Sequence, residues 1–289
     1  GGQAAPFSDE TLQKIRDYKA GKIPYETEWN ESGKNWKGYT NGFSNNNWYD
    51  IFYRDNVPSQ EHNISSSGGT EAVNFYFSAN WLGQDGLMKF NPDKRDRYSV
   101  DATVNAQLHK MLKLKYSGKF SRVDYGRSSY DHGLFYHNIA RRWPTLPLKD
   151  PNGNYVYGNE VAHLNNGRRE EQTDEFIQQL ALIFTPIEGW NTHVELNYKT
   201  GTTFTHVEVL PIYSYDKNGV ANAAALQFGS FWSGGQSRIS EYGHKWNFFN
   251  PNIYTEYVKS INDTHNFKVM AGFQSELNKR RGLGAWREQ

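Results

Sequence analysis

Apolar and polar residues alternate one for one through several stretches of this chain. Between Ala72 and Leu82, Val73, Phe75, Phe77, Ala79 and Trp81 share one face, and Asn74, Tyr76, Ser78 and Asn80 share the other. Successive strand side chains point to opposite sides, so this pattern predicts a β-strand lying between two different environments. A short strand over 64–67 and a turn at Gly68-Gly69-Thr70-Glu71 complete a hairpin with it. Tyr98, Val100, Ala102, Val104 and Ala106 repeat the alternation against Ser99, Asp101, Thr103, Asn105 and Gln107. A turn at His109-Lys110-Met111 leads back through Leu112, Leu114, Tyr116 and Phe120, opposed by Lys113, Lys115, Ser117, Lys119 and Ser121. A strand over 178–185 turns at Pro186-Ile187-Glu188-Gly189. The next sets Trp190, Thr192, Val194, Leu196 and Tyr198 against Asn191, His193, Glu195, Asn197 and Lys199. A last hairpin runs over 246–259, turns at Asn262-Asp263-Thr264 and returns through Phe267, Val269, Ala271 and Phe273.

Connections alternate as regularly as side chains do. Short turns fall near Gly69, Lys110, Glu188 and Asp263, and longer connections lie at about 83–96, 126–173 and 202–243. Outer-membrane barrels combine short periplasmic turns with long extracellular loops. The predicted fold class is therefore all-β: an antiparallel transmembrane β-barrel portion of about eight strands, with long extracellular loops. Lys113, Lys115 and Lys119 are expected on the lumen side, where solvation is their default role. Residues 1–56 read as a loop-rich lead-in with one short helix, capped by Ser8 and closed near Gly21, and 57–289 as the partial barrel. The alternative is a soluble β-sandwich that binds glycan through exposed aromatics, but such a fold has no reason to keep every long connection at one end.

Composition agrees. Only 37% of the 289 residues are hydrophobic, while 16% are aromatic, with 19 Tyr, 17 Phe and 9 Trp. That mixture suits a wall wet on one side and apolar or aromatic on the other. A net charge of +1 speaks against nucleic acid as a partner. With no cysteine, neither a disulfide framework nor a thiolate metal site can form. No stretch approaches the roughly 20 apolar residues of a membrane-spanning helix.

The run Asn47-Trp48-Tyr49-Asp50-Ile51-Phe52, then Pro58 to Glu71 with His62-Asn63-Ile64-Ser65-Ser66-Ser67-Gly68-Gly69-Thr70-Glu71, then Asn74-Phe75-Tyr76 and Gly83-Gln84-Asp85-Gly86-Leu87, resembles the SusC/RagA family of TonB-dependent outer-membrane transporters. Pro186-Ile187-Glu188-Gly189-Trp190 and Ala271-Gly272-Phe273-Gln274 fit too, so the resemblance runs over about 45–276. It implies a larger, plugged barrel in the outer membrane of a Gram-negative bacterium, importing oligosaccharides or peptides. Implied partners are a SusD-like surface lipoprotein, TonB acting through a plug, and outer-membrane lipid. The match is to an internal barrel portion without signal peptide, plug, TonB box or terminal aromatic strand, so the segment is not expected to transport alone.

Candidate chemistry is sparse. No H-E-x-x-H, G-x-S-x-G or Walker pattern occurs, no carboxylate pair is marked out, and neither enzymatic activity nor a cofactor is expected. Asp150-Pro151-Asn152-Gly153-Asn154 begins like a calcium loop, but Tyr155 and Val161 stand where its Gly and Glu belong, so a β-turn is expected there and at Asp216-Lys217-Asn218-Gly219. The expected substrate contacts are the aromatics and arginines of the two long loops: Tyr130, His132, Tyr136, Arg141, Arg142, Trp143, Tyr157, Phe231 and Trp232. Aromatic faces stack on sugar rings and Arg forks bind hydroxyls or carboxylates. Loop packing or an interfacial girdle would use the same residues, and for His132 and His137 packing is the default.

Overall fold

The computed structural model describes residues 7–130, 139–156, 160–224, 227–228, 231–232, 237–262 and 264–288. Its main sheet is an antiparallel meander in which each strand pairs with the next strand of that sheet, except that the last two segments share one partner. Helix α1 (Asp9–Lys19) precedes a short hairpin, β1 (Trp29–Asn30) with β2 (Asn35–Trp36), and helix α2 (Trp48–Phe52). The sheet then runs β3 (Ser59–Gly69), β4 (Val73–Asp85), β5 (Lys94–His109), β6 (Leu112–Ser128), β7 (Arg168–Phe184) and β8 (Trp190–Val209). It finishes with β13 (Arg238–Ile261), β14 (His265–Gln274) and β15 (Leu277–Glu288). Helix α3 (Glu160–Leu164) lies in the β6–β7 connection. The small pairs β9 (Ile212–Tyr215) with β10 (Ala221–Ala224), and β11 (Gln227–Phe228) with β12 (Phe231–Trp232), lie between β8 and β13. No described helix is long and apolar enough to cross a membrane, a statement that says nothing of strands.

Strands β14 and β15 both pair with β13, and the register runs on between them, from Asn252↔Gln274 to Phe249↔Leu277. They are one edge strand, so the nine segments fill eight positions, the number expected from sequence. The interruption has a local cause. Ser275 donates its backbone N–H to Pro251 O at 3.1 Å, and proline has no N–H to return. The Asn250 side-chain amide donates to Ser275 O instead, at 2.9 Å. A proline in a non-edge strand is thereby accommodated.

Cross-strand partners share a face, so the register maps the two surfaces. Val73, Ala106, Leu114, Leu182, Val194, Ile253 and Phe273 form one continuous apolar row over seven strands. The adjacent row, one residue along, is Asn74, Asn105, Lys115, Ala181, Glu195, Asn252 and Gln274. One face is apolar and the other polar, as the alternation predicts. Lys113, Lys115 and Lys119 lie on the polar face, where Lys119 meets Asp101 at 3.5 Å.

The strands outrun the expectations. Strand β7 begins at Arg168 rather than at 178, β8 continues to Val209, and β13 starts at Arg238. The edge strand continues through β15, which alternation did not signal. The long connections therefore contract to 86–93, 129–167 and 210–237, all at one end of the sheet, with the short turns at the other. Helix α1 matches its signals: Ser8 Oγ accepts from Thr11 N at 3.2 Å, and Gly21 follows the C-cap with φ of 74°.

Candidate functional site

Among the described residues, a cluster of buried apolar side chains forms from the lead-in and the long connections, away from the sheet faces. Trp48 and Phe52 from α2, Met88, Tyr130, Ile139, Leu146, Val161 and Leu164 from α3, and Ile212 from β9 pack into one cluster. The lead-in is tied into it from several sides. Asn47 caps α2 by accepting from Tyr49 N at 3.2 Å, which sets the angle at which Trp48 enters. Trp48 Nε1 donates to Trp143 O at 2.8 Å and its ring stacks on Phe52 at 5.8 Å. Glu26 Oε2 accepts from Leu148 N at 2.6 Å and from Asn46 Nδ2 at 2.9 Å. Three stretches distant in sequence thus form one cap at the long-connection end.

Burial governs the charges in this cap. The Arg142 guanidinium lies 4.7 Å from the Trp48 ring centroid, and loss of solvent lowers its pKa to about 10, so it stays cationic at neutral pH. Tyr130, with its ring 4.8 Å from His163, is raised to about 12 by the same loss. His163 is lowered to about 4, by burial first and then by the Arg142 charge, and is neutral at pH 7.

Above this core a cleft of about 520 Å³ opens between the β1–β2 hairpin, the 142–156 stretch and β9–β10. Trp29 and Trp36 meet edge-to-face at 5.1 Å, and Trp36 Nε1 donates to Tyr215 O at 2.8 Å, which fixes the hairpin against β9. Tyr39 is 63% exposed, and Lys34, Asn35, Asn41, Arg142, Ser214 and Asp216 add donors and acceptors. The cleft is small, aromatic-walled and polar, a common form for a ligand site.

Of the residues singled out from sequence, the structure brings Arg142 to the floor of this cleft, and sets Trp143 5.9 Å from Tyr39 and 6.1 Å from Phe7. Tyr130 is only 1% exposed and sits in the core beneath. Arg141 is exposed on the turn before Arg142. Phe231 and Trp232 form β12, paired with β11. His132, Tyr136, His137 and Tyr157 lie outside the described residues. Trp29, Trp36 and Tyr39 escaped sequence reasoning. The available signal was two tryptophans flanking the turn-forming run Asn30-Glu31-Ser32-Gly33-Lys34-Asn35. The Asp150 and Asp216 runs are both turns, as expected: Asp150 Oδ1 accepts from Asn152 N and Asn154 N, and Asp216 Oδ1 from Asn218 N and Val220 N. Among the described residues no group of three or more His, Cys, Asp or Glu is placed to hold a metal ion.

No protein-family model matches the chain. Two curated proteins of Formosa agariphila resemble it: TonB-dependent receptor P26, 24% identical over 158 residues, and TonB-dependent receptor P39, 22% identical over 213 residues. The alignments take in 51% and 73% of this chain but 15% and 19% of those receptors. The RagAB peptide importer in its closed-closed state superposes with a TM-score of 0.65 at 17% identity, over 89% of this chain and 28% of that one. A second structure of the RagAB peptide transporter gives 0.65 over 96% and 29%. The chain is similar to a portion of these TonB-dependent receptors and shares its fold with part of the RagAB transporter. Its antiparallel sheet matches a section of barrel wall, and the proteins it resembles are receptors and transporters rather than enzymes. The chain spans less than a fifth of the curated relatives' length.

Proposed function

We propose that this segment is part of the wall and outer mouth of a TonB-dependent importer in a Gram-negative outer membrane. The apolar row across seven strands, backed by a polar row one residue along, carries the reading: one face meets lipid and the other a wet or plug-filled lumen. The long-connection end then faces outward, beneath a SusD-like lipoprotein lid, and TonB acts through a plug elsewhere in the full protein. The ligand is an oligosaccharide or a peptide. Either presents faces that stack on Trp29, Trp36 and Tyr39 and acceptors that suit Arg142. The soluble-sandwich alternative has no second sheet to cover the apolar face among the described residues.

The test replaces Trp36, Trp143 and Trp232 with Ala, singly, in the full-length protein. Titration with candidate oligosaccharides and peptides, and co-purification of the lid, are the readouts. Reduced ligand affinity or lid association is expected from Trp36→Ala and Trp143→Ala. Wild-type values for all three variants would refute the placement of the site.

A further inference from the structure

At the long-connection edge of the apolar band, one cross-strand row reads Trp81, Tyr98, Arg122, Asp174, Thr202, Lys245 and Arg281, all on the apolar-side face. Its two halves differ in charge balance. Arg122 is neutralised by a two-point ion pair, Nε to Asp174 Oδ1 at 2.7 Å and Nη2 to Oδ2 at 2.6 Å. Lys245 and Arg281 stand directly opposite each other, and like charges so placed repel. Lys279, two residues before Arg281 on the same face, adds a third cation opposite Asn247. None of the three has an ion pair among the described residues, and all are exposed. On that face Glu241 is four residues from Lys245 and already contacts His206 Nδ1 at 2.5 Å. Asn247 Oδ1 accepts from Thr200 Oγ1 at 2.7 Å, which leaves its amide nitrogen as a further donor in the same row as Lys279.

Immediately toward the band, the same columns carry Phe249 and Leu277. Three cations and an amide donor thus sit on the rim of an apolar surface, where acyl chains below would hold a phosphate above. We propose that Lys245, Lys279 and Arg281, with Asn247, bind the phosphate of an outer-leaflet lipid. The lipid's chains lie on the band and its phosphate separates the opposed Lys245 and Arg281. This goes beyond the import reading and rests on two parts of it, the apolar face meeting lipid and the long-connection end facing outward.

The test uses the full-length protein in phosphatidylcholine nanodiscs with or without diphosphoryl lipid A, extracted gently and read by native mass spectrometry. The wild type is expected to retain lipid A in preference to phosphatidylcholine. The Lys245→Gln, Lys279→Gln, Arg281→Gln triple variant is expected to lose roughly 100-fold of that preference, from three basic residues near an anionic surface. Arg122→Gln with Asp174→Asn, a change confined to the neutral pair, should keep it. Equal preference in the wild type and triple variant overturns the proposal, including the case in which carboxylates of an adjoining strand neutralise the trio and the variant is merely less stable. Displacement of lipid A by excess inorganic phosphate overturns it too, because the site would then be one for free anions. Failure of the wild type to enter nanodiscs at all would instead refute the barrel reading, so the two failures are distinguishable.

Discussion

Exchanging a small residue for arginine on either side of one strand tests which face of the sheet meets lipid. On β5, Tyr98, Val100, Ala102, Val104 and Ala106 lie on the apolar face, with Ala102 in the middle, between Phe77 and Gly118 on the neighbouring strands. The eight steps from Tyr98 to Ala106, at about 3.4 Å each and tilted by about 40°, span about 21 Å, most of the ~25 Å apolar band of such barrels. Ala102 is therefore close to the bilayer midplane, where an arginine costs about 2–4 kcal/mol. Thr103, the next residue, faces Tyr76 and Ser117 on the polar side, where the same arginine costs little. With a denaturant slope of about 2 kcal/mol/M, Ala102→Arg lowers the urea midpoint of the full-length barrel in lipid vesicles by about 1–2 M. Thr103→Arg leaves it within about 0.5 kcal/mol of wild type. Heat-modifiable gel mobility or tryptophan emission reads the folded fraction. If the two variants unfold together, or Thr103→Arg is the worse, the apolar face does not meet lipid and the orientation is wrong.

Two further outcomes concern the cap. Phe52→Ala removes a fully buried ring that stacks on Trp48 at 5.8 Å and meets Phe90 edge-on at 6.2 Å. It should cost about 3–5 kcal/mol, with hydrogen exchange rising together across 86–93, 139–156 and 160–167 while β4–β7 stay protected. Exchange confined to α2 would show that the cap is not one cooperative unit. Acid should loosen the same cap through His163. Its folded pKa of about 4 lies below the unfolded value near 6.5, so the unfolded chain takes a proton that the folded one refuses. Stability is full above about pH 6.5, falls through that window and levels off below about pH 4, with about 2 kcal/mol lost by pH 5. Exchange of 160–167 at pH 7 and pH 5, corrected for intrinsic rates, should show that slope in the wild type and not in His163→Phe.

How far the sequence revealed this fold depends on where each residue lies relative to the band. Strands β4, β5 and β6 were legible because their two faces meet different surroundings, and alternation is the record of that difference. Beyond the band both faces are wet, and the record vanishes. The first half of β7, Arg168 to Ile177, carries charges on both faces, and its first six residues read as loop, yet it is held strand by strand. Arg122 pairs with Asp174, Gln172 Nε2 donates to Asp124 Oδ1 at 2.9 Å, and Thr173 meets Thr203 at 3.1 Å. Those partners are set by register, which no local pattern encodes. The cleft was hidden for a related reason. The Trp29–Trp36 pair becomes a wall only once Trp36 Nε1 reaches Tyr215, 179 residues away. Arg142 was legible as a loop arginine beside tryptophan, but the ring it lies over belongs to Trp48 in the lead-in.

The molecule answers two solvents with two kinds of structure. Its sheet leaves Phe75, Phe77, Val100, Ile253, Val269 and Phe273 more than a third exposed, so on the proposed reading its apolar energy is realised only when lipid covers it. The cap buries Phe52, Val161 and Leu164 completely and keeps its own core whether or not lipid is present. The cleft seated on that cap is therefore held by side-chain packing, while the strands below are held by backbone ladders and, on the proposed reading, by the membrane. Substitutions such as Ala102→Arg and Phe52→Ala act on separate cooperative units without shared partners, so their free energies should add. On the proposed reading, that separation would let the long connections carry binding residues at no cost to the register of the wall that supports them.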